Sequence, residues 1–374
     1  MDRTHPVVPR LRGLFLLAPL FFGGPSLAFA ANSFIGSLTS VTALSTTIPP
    51  NGDLNPYGVA QVPVTKGSLI AGNFLISNFN NSLNQQGAGT TIVQISPSGT
   101  ASLFAQIFTS QLDQDHSPCP GGIGLTTALV VLRSGFVVVG SLPTMDGTSA
   151  TIGSGCLIVL NAHGKVVETI TGNHLNGPWD MTAVDDGSLV TLFVTNVLNG
   201  VVEANGNPIE GGTVVRLLLS DVGEHPVVLE SDIIGSGFGE TTDPAALVIG
   251  PTGLAFDART GTLYVADSLD NRIAAIPNAL FRFFSAGTGI TVFSGGSLND
   301  PLGLTIAPNH DLIAANGDDG NLVEINPFTQ QQVATALVDN SGSPPGAGAL
   351  FGLQATPAGV YFVNDATNSF NLLH

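Results

Sequence analysis

Few residues in this sequence are placed to do chemistry, and most of them sit at fixed points of a recurring pattern. Asp180 stands in Gly177-Pro178-Trp179-Asp180, where a related segment reads Gly250-Pro251-Thr252-Gly253, so a carboxylate replaces a glycine. Such a group can bind a ligand or a cation, or it can cap exposed backbone N–H groups in a turn. Tyr57, Trp179 and Phe351 hold the position just before it in three copies of the pattern. Aromatic rings there suit the faces of sugars or planar ligands if they line an opening, and they form a plug if they pack on one another. A second set, Asn78, Ser141, Asn196, Asp267, Asn316 and Asp365, closes one strand-like run in each copy. Asn and Asp at such points bond neighbouring backbone, and Asn78 and Asn196 are also candidate ligand contacts. Cys119 and Cys156 are the only cysteines, an even count that permits one disulfide. His116 and His174 both fall in connections on the Trp179 side, but a zinc or copper site needs a third ligand. No G-x-S-x-G, G-x-G-x-x-G, P-loop or H-E-x-x-H is present.

The elements that must position these residues emerge from internal similarity. Gly250 to Asp257, Gly261 to Asp267 and Arg272 to Ile276 align with Asp300 to Ala307, Asp311 to Asn316 and Asn321 to Ile325. Each triplet reads as strand, tight turn, strand, loop, strand. Four further copies begin at Pro56, Gly124, Pro178 and Phe351, making six, and a fourth strand follows most of them. The last copy stops at its third strand, whereas Ser40 to Leu44 forms an orphan strand ahead of the first. The pattern therefore predicts an all-β, six-bladed β-propeller with four-stranded blades, closed by the N-terminal strand completing the last blade. Cys119 and Cys156 then lie at the same end of blade two, near enough to bond. The connection from second to third strand is long in the first three copies, which places a specific site on the top face, where the inner strands begin, over blades one to three.

Residues 1–30 read as a secretory leader: Arg3, Arg10 and Arg12 precede the apolar run Leu14 to Phe22, and Ala28-Phe29-Ala30 offers a cleavage site. Residues 31–374 then form a single propeller domain, secreted or periplasmic. Charged residues make up 10% of the chain, against about 25% in typical soluble domains, and the net charge is −17. Loss of the leader makes the remainder more acidic. Such a surface disfavours nucleic acid and membrane insertion. Loops rich in Asn, Gly, Ser and Thr suit a protein, a glycan or a neutral small molecule as partner, and a monomer is expected.

With Gly250-Pro-Thr-Gly-Leu-Ala-Phe-Asp257, Leu263-Tyr-Val-Ala-Asp-Ser268 and Asn271-Arg-Ile273, the chain resembles NHL-repeat propellers and, more broadly, the gluconolactonase-like six-bladed group. The resemblance is strongest over residues 250 to 276 and 300 to 325. In the group's calcium-dependent lactonases, Glu, Asn and Asp at the heads of inner strands hold the metal. The matching positions here are Tyr57, Ile123, Trp179, Thr252, Leu302 and Phe351, none a carboxylate or carboxamide. Calcium needs six to eight oxygens, so no cofactor is expected and no motif supports calcium or another divalent metal. NHL propellers are mostly platforms. The resemblance therefore implies a non-catalytic binding platform with a top-face site near the channel mouth. The alternative is a lactonase- or lyase-like enzyme with a non-standard metal site.

Overall fold

The computed structural model describes residues 1–2, 33–112, 119, 121–244 and 246–374. The chain divides into two units, Met1–Ala31 and Asn32–His374. The leader expectation falls almost wholly outside the described residues, as does His116. No helix among the described residues is long and apolar enough to cross a membrane.

Among the described residues the second unit forms six antiparallel sheets. Their inner strands are Leu54–Gln61, Leu125–Val131, Pro178–Asp185, Pro251–Asp257, Pro301–Ile306 and Leu350–Thr356. Each packs beside the inner strand of the next sheet, and the sixth packs beside the first, which makes the ring. Middle strands are covered by neighbouring blades on both faces, so alternation disappears: Phe74–Asn80, Thr91–Ile95 and Cys156–Leu160 are buried throughout. Outer strands such as Ala101–Gln106 carry exposed residues.

Val41–Thr46 closes the ring. It pairs antiparallel with Ser369–Leu373, with Val41 opposite Leu373 and Thr46 opposite Ser369. Backbone bonds from Thr39 and Ser40 N–H to the His374 carbonyl, at 3.1 and 3.0 Å, extend the pairing. The sixth blade is thus built from both ends of the described ring, as expected. The disulfide also forms as expected, with Cys119 and Cys156 Cα atoms 5.4 Å apart.

Three details differ from the sequence expectation. Blade three has five strands, because Ile209–Ser220 and Val227–Asp243 form a long hairpin to which Leu247–Ile249 adds a short fifth strand. In blade six, strand register pairs Leu350 with Asn364, so Asn364 rather than Asp365 matches the strand-end set. In blade two, Leu125 pairs with Ser141 and Leu129 with Val139, four residues against two, where the other inner strands have three against two. This bulge shifts the head of the blade, and Thr127 rather than Ile123 aligns with Tyr57 and Trp179.

Candidate site in the central channel

The ring of inner strands can be this tight because four of them carry glycine at one shared position, Gly58, Gly253, Gly303 and Gly352. A Cβ at Gly303 would run into the Phe351 carbonyl oxygen, and one at Gly352 into that of Tyr57. Blade two places Ala128 there and blade three places Asp180. Instead of colliding, the Asp180 carboxylate reaches the neighbouring strand and accepts the Leu254 backbone N–H at Oδ2, 2.8 Å away. Its own N–H is held by Thr195 Oγ1, whose hydroxyl donates onward to the Thr252 carbonyl at 2.9 Å. Asp180 is therefore fixed between blades three and four at both its backbone and its side chain.

Above this level the channel is filled. Tyr57 stacks on Phe351 with ring centroids 3.8 Å apart and on Phe79 at 4.4 Å, and Trp179 lies 6.4 Å from Tyr57. Leu302 joins them, and the fifth strand of blade three, Leu247–Ile249, packs into the same cluster. The Trp179 indole N–H donates to the Val248 carbonyl at 3.0 Å, which satisfies its polar atom. Tyr57, Trp179 and Phe351 do meet at one level, at 1–2% exposure, as a dry plug. Burial pushes the Tyr57 phenol well above its usual pKa.

Below the plug lies a cavity of about 310 Å³. It is lined by the lower halves of all six inner strands and runs down to Gln61 and Gln354. Asp180 and Thr127 sit at its upper end. Asp180 is the only titratable residue in this lining. Burial raises its pKa to about 7, against the opposing pull of the Leu254 and Met181 N–H groups. Such a carboxyl exchanges a proton near neutrality, which is what general acid–base chemistry requires. Thr127 is 4% exposed, and its Oγ1 has no hydrogen-bond partner among the described residues. The spacing of blade two hides Thr127 in the sequence. Pairing the apolar run Ala128 to Val131 against Val137 to Ser141 would have found it.

The remaining candidates hold loops in place. Asn78, fully buried, donates through Nδ2 to the Thr47 carbonyl and Thr91 Oγ1. Asn196, also buried, accepts the Asn176 and Gly177 N–H groups at Oδ1. The long loops of blades one and two meet the 242–244 segment of blade three around a cavity of about 300 Å³ lined by Gln86, Thr148, Ser149, Asp243 and Leu247. Of the positions that match calcium ligands, Tyr57, Trp179, Leu302 and Phe351 are packed into the plug, Ile123 packs on the apolar cluster between blades one and two, and Thr252 is bonded to Ser268 and the Ala266 and Pro301 carbonyls. They do not fit a calcium ion. No group of three His, Cys, Asp or Glu side chains among the described residues is arranged to hold a metal.

A six-bladed propeller with a plugged top and a carboxyl-bearing lower channel is the class that fold and site define. Its fold is shared with gluconolactonase-like propellers. A gluconolactonase from Xanthomonas campestris superposes with a TM-score of 0.52 at 12% identity, covering 90% of this chain and 95% of that one. A luciferin-regenerating enzyme gives 0.51 at 12% identity, covering 89% and 94%. A candidate gluconolactonase gives 0.50 at 14%, covering 89% and 90%. No family model matches the chain, and no curated protein matches its sequence. These neighbours are enzymes, or designated as such, and they overturn the expectation of a non-catalytic platform. Within the channel the expected mouth is filled with side chains and the open space lies below the plug, while a cavity of similar volume remains on the top face among the loops.

Proposed function

We propose that this chain is an exported enzyme of the lactonase kind, and that its reaction runs in the lower channel without a bound cofactor. The observation that carries the reading is Asp180, a buried carboxyl with a pKa near 7 at the closed end of a cavity at the centre of the ring. The likeness to a gluconolactonase supports it at the level of fold, and the disulfide suits an oxidising compartment.

In this reading the Asp180 carboxylate takes a proton from a water molecule as the water oxygen attacks the carbonyl carbon of a cyclic ester. The C–O bond to the ring oxygen then breaks. Asp180 returns the proton to that oxygen, which leaves a hydroxy acid whose carboxylic proton is lost to solvent.

Purified protein is assayed against small γ- and δ-lactones. The rate is expected to rise with pH through an apparent pKa near 7, because the ionised form of Asp180 is the base. Asp180→Asn is expected to lower kcat at least 100-fold, within the range of general-base contributions, with chelators leaving the wild-type rate unchanged. Chelator-sensitive turnover with stoichiometric metal, or full activity in Asp180→Asn, would overturn the reading.

A further inference from the structure

We propose that the lower cavity admits uncharged molecules and that Asp180 excludes anions from it. This rests on the reading of the cavity as the working site and names its ligand class. All six inner strands line the space, and apart from Asp180 they contribute threonine, glutamine, glycine, aliphatic side chains and Phe256. No Lys, Arg or His among the described residues lines it. A carboxylate entering this channel would lose its hydration, find no counter-charge, and meet like charge whenever Asp180 is ionised. Asp180 is hydrogen-bonded to Leu254, Met181 and Thr195, and no second titratable group among the described residues lines the pocket.

The attractive half comes from neutral polar groups: Gln61, Thr182, Thr305 and Gln354 line the space and offer a guest uncharged donors and acceptors. A volume of about 310 Å³ lies at the lower end of ligand pockets, which limits the guest to about one small ring. A ring carrying an ester or amide carbonyl gives these donors an acceptor. Hydrolysis of a neutral lactone here generates an anion in a place that rejects anions. The product is expelled and does not rebind, so the same residue that activates water also clears the site.

The test uses equilibrium binding, measured by calorimetry, with two probes of similar size. δ-Valerolactam is neutral and not readily hydrolysed, and it carries both an N–H donor and a carbonyl acceptor, so it can pair with either form of Asp180. 5-Hydroxyvalerate is an open-chain anion. From pH 5.5 to 8.5 the protonated fraction of a group with a pKa near 7 falls about 30-fold. Hydroxyvalerate affinity is expected to fall by about that factor and lactam affinity by less than threefold. Asp180→Asn is expected to bind hydroxyvalerate equally at both pH values. Asp180→Gly, the residue that four blades carry at this position, repeats the first comparison if the Asn variant does not fold. Anion binding that equals lactam binding at pH 8.5, or an unchanged pH profile in both Asp180 variants, would overturn the inference. The readout is binding, so a chain that turns over no lactone yet shows this selectivity refutes the lactonase reading alone.

Discussion

Asp180 is chemically useful and structurally expensive for the same reason. Its pKa is raised from the carboxylate range to about 7 by burial, so the folded state keeps its proton where the unfolded chain has lost it. Below pH 4 both states are protonated and there is no penalty. As pH rises towards 7 the folded state must either hold a proton or bury a charge, and stability falls. Asp180→Asn keeps an oxygen for the Leu254 N–H and cannot ionise. It is expected to melt several degrees above wild type at pH 8 and within a degree or two of it at pH 4, by calorimetry, while losing activity. This trade of stability for function suits a site residue. The break at Asp180 was visible in the sequence because every aligned copy supplies the contrast. Its environment was not, because the side of the plug on which the side chain lies depends on how neighbouring inner strands approach. Thr127 stayed hidden for another reason: the bulge between Leu125 and Leu129 offsets blade two from its copies, and no motif marks a bulge.

At the scale of elements, the plug joins blades one, three, five and six through Tyr57, Trp179, Leu302 and Phe351, and Leu247–Ile249 closes over it. Trp179→Ala is expected to cost about 3–5 kcal/mol, as truncating a core aromatic does, in chemical denaturation followed by circular dichroism. Trp179 is the only tryptophan, so intrinsic fluorescence reports on the plug alone. Blue-shifted emission that acrylamide fails to quench is expected, since the side chain is buried and its N–H is bonded within the protein. The six strand triplets and the strand exchange were legible because repetition averages out local ambiguity. The fifth strand of blade three was not. It occurs once, spans three apolar residues just before Gly250-Pro251, and has no copy to mark it.

Across the whole molecule, Asp180 is one of several buried carboxyls. Glu240, Asp300 and Asp365 are each raised to about 7, with burial as the largest cause, and at Asp300 the nearby Asp318 and Asp243 add to it. All four groups hold protons in the folded state that the unfolded chain releases between about pH 4 and 7. Stability is therefore greatest on the acid side of that window and declines as pH rises through it. Melting temperature is expected to fall steadily from pH 5 to pH 8 in scanning calorimetry, against the trend of proteins whose carboxylates are paired. An unchanged or rising Tm over that range would show that these groups ionise freely in the fold.

Ring closure also sets a clock on biosynthesis. Val41–Thr46 has no partner until Ser369–Leu373 has been made, so no amount of early folding completes the molecule while the chain is still emerging. A search across nearly the whole polypeptide is slow compared with forming a local hairpin. The antiparallel register places Val41 directly beside Leu373. A circular permutant that starts near residue 48 and carries 41–46 after residue 373 turns that distant meeting into a tight reversal of adjacent strands. It is expected to refold several-fold faster than the parent in stopped-flow fluorescence, with its equilibrium unfolding midpoint little changed. The order in which the strands are translated, rather than the contacts they finally make, would then govern how long this protein spends open.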